Sequence, residues 1–433
     1  MEELGFFQVD GFVISFSMSG FLEAVSKVSK FALRWDDDVY DRLSHRYTVM
    51  VCALFTVIVS TKQYVGDPIS CWCPATFTDA MIEYTNHVCW ISNTYYLPIE
   101  KMPDKHGVER LQVIGYYQWV PLMLLLQGLF CYIPSIVWAM NNGRPGLDMN
   151  RMVLLVSGME SINPDIRDKS IKFICKHFDR ALAYQREYRR SRYRRCLQSM
   201  SKHFCLPIGQ IYGNYLTSLY VLVKILYIVN AVGQLYVMNA YLTDGRDSYY
   251  FYGVEVVKAL FANRQPETFL FPRVTLCDFR IRQMQNVHDY TIQCTLPINL
   301  FNEKIYIYLW FHMCCVLFFS TFGFLQLLWQ LFSTNCQSYI TRYLKVICKV
   351  RQQTGMLEVR SIRHFVTDYL RPDGVFAIRV IAKNTNDIVT TEIIGALYDY
   401  YRKCNYQTTK TAPYIQQVCR ERGDDNSSVK CLV

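Results

Sequence analysis

The sequence lacks the motifs that usually indicate an enzyme. It contains no glycine-rich phosphate loop, no HExxH motif and no GxSxG motif in a suitable context. The histidines His87, His106, His288 and His312 are scattered along the chain and show no metal-ligand spacing. The sequence therefore predicts neither an enzyme nor a bound metal or cofactor.

Charged residues are also scarce. They make up 19% of the 433 residues, whereas 51% are hydrophobic and 15% are aromatic. This composition is too apolar for a typical soluble protein, yet too charged for a chain that lies in a membrane throughout. The formal net charge of +10 raises the question of a nucleic-acid partner, but the placement of the basic residues along the chain argues against one.

One stretch without charge indicates a membrane protein. Residues 120–137 carry no charge, and a helix of this length, at about 1.5 Å per residue, fits a hydrocarbon layer about 30 Å thick. Tyr116, Tyr117 and Trp119 lie at one end and Trp138 at the other. Such an arrangement is typical of an aromatic belt at the two membrane surfaces.

Four apolar segments are long enough to cross a bilayer. They are predicted at 47–64, 117–138, 212–240 and 305–332. The third contains Lys224, Asn230 and Gln234, and a lysine at the bilayer centre costs about 2.5–3.5 kcal/mol. We therefore expect these side chains to face other helices or a pore, and their cost in a lone subunit favours an assembly.

The charges predict which segments lie in the cytoplasm. The middle loop (140–211) has 14 Lys and Arg against 6 Asp and Glu, and the tail (334–433) has 15 against 9. The loops between spans one and two and between spans three and four, here called the outer loops, show no basic excess. Because excess Lys and Arg marks cytoplasmic segments, both termini and the middle loop are predicted inside.

Five of the 17 cysteines lie in the outer loops. They are Cys71, Cys73, Cys89, Cys277 and Cys294. Exposure to an oxidising exterior makes them candidates for disulfides, whereas the other cysteines should stay reduced. On these grounds alone, a generic disulfide-bonded ectodomain is equally compatible with the sequence.

Several stretches resemble innexins, the gap-junction proteins of invertebrates, and they occur in the family's order. They are WDDDVYDRLSHRYT (35–48), GDPISCW (66–72), YYQWVP (116–121) with YIPSIVW (132–138), FPRVTLCDF (271–279), LPINLFNEKIY (296–306) and the tail from 371 to 404. The resemblance covers nearly everything from about residue 18 to 404.

The resemblance implies a fold and a function. The fold is an all-α integral membrane protein: a four-transmembrane-helix bundle with a small disulfide-linked α/β extracellular region and a helical cytoplasmic domain. The function is that of a structural subunit of an intercellular channel for ions and small molecules, in the plasma membrane at a gap junction. Subunits form a ring, expected to have eight members, with this chain or other innexins, and two rings dock across apposed cells.

The resemblance also implies roles for the outer loops. Disulfides are expected to cross between the loops, as Cys71–Cys294 and Cys89–Cys277, while Cys73 is either a free thiol or a competing partner. Trp72 is expected to shape the docking face.

The resulting organisation has eleven segments. They are an N-terminal extension (1–17), a cytoplasmic pore-mouth segment (18–46), span one (47–64), outer loop one (65–116), span two (117–138), the middle loop (139–211), span three (212–240), outer loop two (241–304), span four (305–332), a folded tail (333–408) and a disordered C-terminus (409–433).

Two charged clusters each allow two interpretations. Asp36, Asp37, Asp38 and Asp41 can form a solvated helix start or, repeated around a ring, a group that attracts cations at the pore mouth. The basic run REYRRSRYRRC contacts anionic lipid or is ordinary positive-inside bias; its arginines are Arg189, Arg190, Arg192, Arg194 and Arg195.

Two features concern the ends of the folded region. Members of the family usually begin close to Met18, so residues 1–17 are expected to crowd the pore mouth or to be a tail without consequence. Within the tail, a Pro-Asp-Gly turn is predicted at 372–374 and a helix at 391–402.

The alternatives to a gap-junction channel are a pannexin-like hemichannel that does not dock and a non-conducting adhesion or scaffold protein.

Overall fold

The computed structural model describes residues 36–97, 113–143, 146–158, 164–187, 214–243, 252–261, 270–347 and 356–403. These residues divide into two compact units. The sheet unit comprises 39–137 and 223–325, and the helical unit comprises the chain up to 38, 138–222 and 326 onwards.

The helices and strands follow one another in a simple order. They are α1 (Val39–Tyr64), β1 (Ser70–Cys71), α2 (Asp79–Ile91), β2 (Thr94–Tyr95), β3 (Val113–Ile114), α3 (Val120–Asn141), α4 (Met149–Ser157), α5 (Pro164–Glu187), α6 (Tyr215–Thr243), α7 (Tyr252–Phe261), β4 (Val274–Gln283), β5 (Asn286–Thr295), α8 (Pro297–Leu331), α9 (Ser333–Val346), α10 (Met356–His364), α11 (Arg371–Asn384) and α12 (387–403).

Four of the described helices are long and apolar enough to cross a membrane, which confirms the predicted fold class. They are α1, α3, α6 and α8. The fourth begins at Pro297 rather than at 305, because the polar side chains of Asn299, Asn302 and Glu303 are buried. The amide of Asn299, for example, donates a hydrogen bond of 2.9 Å to the Pro272 carbonyl. Hydropathy alone assigns such residues to a loop.

The first span also begins earlier than its hydropathy predicts. It starts at Val39 and includes a π-helical turn, Leu43–Tyr47. Asp41, Ser44 and His45 in this first part are all buried. Polar residues within the protein therefore extend the helix beyond its apolar stretch.

The outer loops contribute strands to a single sheet. The strand order is β1-β5-β4-β2-β3, and every pairing is antiparallel. Since β1 to β3 belong to the first loop and β4 and β5 to the second, the sheet joins the two loops. The β4–β5 hairpin turns through Met284 and Gln285, whose φ angles of 44° and 72° fit a type I′ turn.

Aromatic residues form the centre of the sheet unit. Tyr117, Phe271 and Tyr306 are fully buried. The hydroxyl of Tyr116 donates to the Leu270 carbonyl, and that of Tyr241 donates to the Tyr116 carbonyl at 2.6 Å. These bonds tie the segment before the second span to the end of the third and to the approach to β4.

The helical unit has an aromatic core of its own. Phe365 packs against Tyr369, Tyr398 and Tyr401, with ring centroids 5.2–5.5 Å apart. The hydroxyl of Tyr369 donates to Asp179 on α5 at 3.0 Å. The middle loop and the tail therefore fold together.

Of the two features predicted for the tail, the structure confirms one and contradicts the other. The helix predicted at 391–402 is part of α12. The Pro-Asp-Gly turn predicted at 372–374 is absent, because these residues form the first turn of α11. Proline is well suited to that position, since the first backbone N–H groups of a helix have no partner within the helix.

Candidate functional site

Two disulfides hold the outer sheet. One joins Cys71 on β1 to Cys294 on β5, which lie opposite each other in the register. The other joins Cys89 on α2 to Cys277 on β4. All four cysteines are buried, and each bond connects the first loop to the second. These are the same two pairs that the family resemblance implies.

Cys73 has no disulfide partner in the structure and is half-buried. Burial raises the pKa of its thiol, an effect that a hydrogen bond with Thr85 opposes. A raised pKa lowers the thiolate fraction at neutral pH and with it the reactivity of the sulfur.

Trp72 lies between these cysteines and points into solvent. It is 84% exposed, while its backbone N–H donates to the Gln293 carbonyl at 2.9 Å and so fixes the segment to β5. Met284, at the tip of the β4–β5 hairpin, is 92% exposed. Both side chains are therefore open to solvent in the single subunit.

The aromatic belt prediction at the second span is wrong for two residues. Tyr117 is 0% exposed and Trp138 is 1% exposed, so neither ring lies at a lipid–water boundary. The ring of Tyr117 packs 4.8 Å from that of Trp90 on α2. The Gln118 side chain donates a hydrogen bond of 2.6 Å to the Trp90 carbonyl. Residues of the YYQW motif therefore bind α2 to the start of the span. Trp119, in contrast, is exposed.

The structure fits neither of the two interpretations of the acidic cluster. Asp36 is buried and accepts hydrogen bonds from Trp138 Nε1 at 2.7 Å and from Asn142 Nδ2 at 3.1 Å. Asp38 forms a 3.0 Å ion pair with Lys383 on α11.

Asp37 and Asp41 are also buried. Buried carboxylates cannot concentrate cations in a water-filled vestibule, so the prediction of a cation-attracting ring for Asp36, Asp37 and Asp41 is wrong. Asp38 is half-buried and already paired, which leaves little charge for that role.

Lys224 is paired within the subunit. Its ammonium group lies 2.8 Å from Oδ1 of Asp41, and both side chains are almost fully buried. Next to this pair, His45 Nδ1 is 2.7 Å from the Asp41 carbonyl and 3.3 Å from the Tyr227 hydroxyl. The expected cost of Lys224 is therefore offset inside one chain, and this residue no longer argues for assembly.

The other polar residues of the third span differ from Lys224. Asn230 is half-buried and donates to Cys131 Sγ at 3.5 Å. Gln234 is buried, and its Oε1 has no hydrogen-bond partner among the described residues.

Asp373 connects the tail to the third span. Its Oδ1 accepts hydrogen bonds of 3.0 Å from both the backbone N–H and the hydroxyl of Thr217, in the first turn of α6. A carboxylate at a helix N-terminus satisfies free N–H groups and interacts favourably with the helix dipole. Burial nevertheless raises the pKa of Asp373, and the hydrogen bonds offset this shift in part.

Three predictions lie outside the described residues: the N-terminal extension 1–17, the basic run from Arg189 to Arg195 and the C-terminal segment 409–433.

These features define a multi-pass membrane protein whose two outer loops are bonded into one sheet and whose middle loop and tail fold together. The chain matches the family model for Innexin over residues 37–401, and it belongs to the innexin family. It is a subunit of the gap-junction channels of this family and a multi-pass plasma-membrane protein of cell junctions.

Individual innexins are similar along most of their length. Innexin unc-9 of Caenorhabditis elegans is 35% identical over 385 residues, which are 87% of this chain and 95% of that protein. Innexin-19 of Caenorhabditis briggsae is 30% identical over 404 residues, covering 89% and 90%. Innexin-10 of C. elegans is 34% identical over 406 residues, covering 92% and 71%.

Proposed function

We propose that eight subunits, of this chain alone or mixed with other innexins, form a ring in one plasma membrane, and that two rings dock through their outer loops. Ions and small molecules then pass between the two cells, and the chain catalyses no reaction. Permeation depends on the width of the pore and the charge along it.

The observation that supports docking is the construction of the outer sheet. Two disulfides and five antiparallel strands fix the sheet in the isolated subunit. A preorganised surface does not have to be ordered when a partner arrives, and this lowers the entropic cost of association. Trp72 stands 84% exposed on that surface.

Junctional conductance between paired, coupling-deficient cells tests the proposal. We expect junctional conductance when both cells express this protein and no other innexin, and none when only one of the two cells expresses it. If the protein reaches the surface of both cells and no junctional current appears, a homotypic channel is excluded. An undocked hemichannel would instead give a membrane current in single cells and no junctional current between paired cells.

The disulfides allow a matched comparison. We expect Cys277→Ser to abolish junctional conductance, because it breaks the Cys89–Cys277 bond inside the sheet. Cys73→Ser should retain conductance, because Cys73 forms no disulfide in the structure. Equal conductance for the two variants would show that docking does not require the bonded sheet.

Trp72→Ala separates docking from folding. Since the side chain is exposed in the subunit, its loss should leave surface expression unchanged and lower junctional conductance. Ile91→Ala is the control, as Ile91 on α2 is 73% exposed. A Trp72→Ala variant with wild-type junctional conductance would remove Trp72 from the docking face.

A further inference from the structure

The helical unit contains a cavity that the channel function does not use. Its volume is about 280 Å³, close to the lower limit for small-molecule sites. Tyr220 of α6 and Leu327 and Leu331 of α8 line one side, and Val375 and Phe376 of α11 line another. The apolar part of the wall therefore comes from two spans and from the tail.

The charged side chains in the wall are held by other groups of the chain. The ammonium group of Lys383 forms a 3.0 Å ion pair with Asp38. The guanidinium group of Arg379 donates to the Gln330 carbonyl at 2.5 Å and to the Asn335 carbonyl at 3.3 Å. A ligand therefore finds its contacts on the apolar part of the wall. Such cavities bind hydrocarbon.

The wall also contains a cysteine, Cys336 on α9. It forms no disulfide in the structure and is half-buried. The thiol donates to the Gln330 carbonyl at 3.4 Å, and a thiol is a weak donor. A group attached to the sulfur would therefore cost little in hydrogen bonding.

Cys336 differs from the other free cysteines that the structure describes. Those within membrane-spanning helices are Cys52, Cys131, Cys314 and Cys315. Cys73 lies in an outer loop, and Cys175 on α5 is buried. Among these thiols, Cys336 is the one that an enzyme at the cytoplasmic side of the membrane can reach.

Exposed aromatic rings place Cys336 close to the inner surface of the membrane. Trp329 and Phe332 are both exposed, with ring centroids 6.2 Å apart, at the end of the fourth span. The charge distribution of the loops makes this end cytoplasmic, and Trp is enriched at the boundary between hydrocarbon and headgroups. Since α9 begins at Ser333, Cys336 lies about 6 Å from that boundary along the helix, at 1.5 Å per residue. Cysteines next to a membrane span are typical sites of reversible S-acylation.

We propose that Cys336 carries a fatty acyl chain in thioester linkage and that the cavity holds the part of the chain next to the sulfur. Carbons near the thioester contact Leu331 and Phe376, and the rest of the chain extends past Leu327 into the hydrocarbon layer. The acyl chain then joins α11 of the tail to the cytoplasmic end of the fourth span.

The acyl donor is a long-chain acyl-coenzyme A, used by a membrane-bound acyltransferase of the cell. Overall, a bond forms between the Cys336 sulfur and the acyl carbonyl carbon, and the bond from that carbon to the sulfur of coenzyme A breaks. The proton of the Cys336 thiol goes to the released coenzyme A thiolate, so no oxidant or reductant is needed.

Arg379 affects the reactivity of this sulfur. Its Nη2 lies 3.9 Å from Sγ of Cys336. Burial raises the pKa of the Cys336 thiol, whereas the positive charge of Arg379 lowers it. Because the thiolate is the nucleophile, the guanidinium group favours acyl transfer.

The thioester is tested on the full-length protein isolated from expressing cells. Free thiols are blocked with N-ethylmaleimide, thioesters are cleaved with neutral hydroxylamine, and the new thiols are labelled with maleimide-polyethylene glycol, which slows the protein on a gel. We expect a labelled thiol that appears only after hydroxylamine.

Mass spectrometry locates the acyl group without any substitution. Chymotrypsin cleaves after Phe332 and Tyr339, and the peptide 333–339 contains Cys336 as its only cysteine. Before hydroxylamine treatment, this peptide should be heavier by one acyl chain.

Two variants form a matched pair. Cys336→Ser should lower the number of hydroxylamine-dependent labels by one per chain. Cys315→Ser makes the same chemical change at an exposed position of the fourth span and should leave the number unchanged.

The rate of cleavage tests the role of the cavity. Hydroxylamine should cleave the Cys336 thioester about tenfold more slowly, or less, in folded protein in mild detergent than in protein unfolded in sodium dodecyl sulfate. The reason is that the reagent reaches a buried bond only when the structure opens locally.

Three outcomes overturn the proposal. A peptide 333–339 without an acyl chain, in protein isolated from the cell surface, would exclude the modification. An equal number of labels on wild type and Cys336→Ser would place the thioester at another cysteine. Equal cleavage rates in folded and unfolded protein would mean that the chain lies outside the cavity.

Discussion

The ammonium group of Lys224 and the carboxylate of Asp41 form an ion pair that is almost fully removed from solvent. Such pairs contribute little net stability compared with apolar side chains, because both ions lose their hydration. Breaking one is costly, however, since the remaining charge stays buried. We therefore expect the pair to specify how α1 and α6 align more than it adds to the free energy of unfolding.

We expect Lys224→Met to lower stability by about 3–5 kcal/mol, the usual cost of removing one partner of a buried pair. The double variant Asp41→Asn/Lys224→Met should recover much of that loss, because no charge remains. Thermal unfolding in detergent and surface expression measure both effects. Lys345→Met, at an exposed position on α9, is the control. If Lys224→Met unfolds at the wild-type temperature, the pair has no structural role.

Asp373 gives a prediction on pH. Burial raises the pKa of Asp373 in the folded protein above that of the unfolded chain. Its protonation therefore favours the folded state: the contribution is fully present below the unfolded pKa, about 3.9, and is lost as pH rises through the higher folded value.

Asp373→Asn should remove this dependence. The amide oxygen can still accept hydrogen bonds from Thr217, but it does not ionise. The difference in Tm between the variant and the wild type should then grow in favour of the variant as pH rises from about 4 to 7. Asp387→Asn, at an exposed position, should show no such trend. A constant difference across this range would contradict the pKa shift.

Helix α7 in the second outer loop packs closely against the fourth span. A Cβ atom at Gly253 would lie 1.9 Å from Cδ2 of the Trp310 ring. No side chain fits there unless the ring or the helix moves. The contact requires glycine because of space, not because of backbone conformation.

Gly253→Ala should therefore destabilise the sheet unit, by about 1–3 kcal/mol if the ring adjusts as in other overpacked cores. Gly233→Ala is the matched control, since a Cβ at Gly233 meets nothing within 4 Å. Disulfide-linked, correctly folded protein at the cell surface can be quantified for both variants. Equal amounts would show that Trp310 moves aside freely.

The elements that hydropathy reveals are the ones the sequence predicts well. The four spans were found from apolar length, since lipid requires it. The β4–β5 hairpin was not predicted, because Met284 and Gln285 occupy its turn in place of the usual Asn-Gly or Asp-Gly. The Asp41–Lys224 pair joins residues 183 positions apart, and no local pattern connects them. No local pattern predicts the burial of Tyr117 and Trp138 either, because it also depends on residues distant in the chain.

At the scale of the complete channel, one prediction concerns the N-terminal extension, residues 1–17. Residues 1–17 lie outside the described part of the structure, and the sequence predicts that they either crowd the pore mouth or form a tail without consequence. If the extension crowds the pore mouth, its deletion should raise single-channel conductance. Deletion of 409–433 is the control and should leave conductance unchanged. Equal conductance with and without residues 1–17 would mean that the extension does not reach the pore.

The disulfides also impose an order on biosynthesis. Cys71 and Cys294 are 223 residues apart, and Cys89 and Cys277 are 188 apart. Neither bond can close until the ribosome has made the third span and delivered the second loop to the lumen of the endoplasmic reticulum. At about 5–20 residues per second, about 10–45 s of translation separate the first cysteine of each pair from its native partner. Formation of the two bonds therefore requires that the spans have inserted with both outer loops on the same side of the membrane.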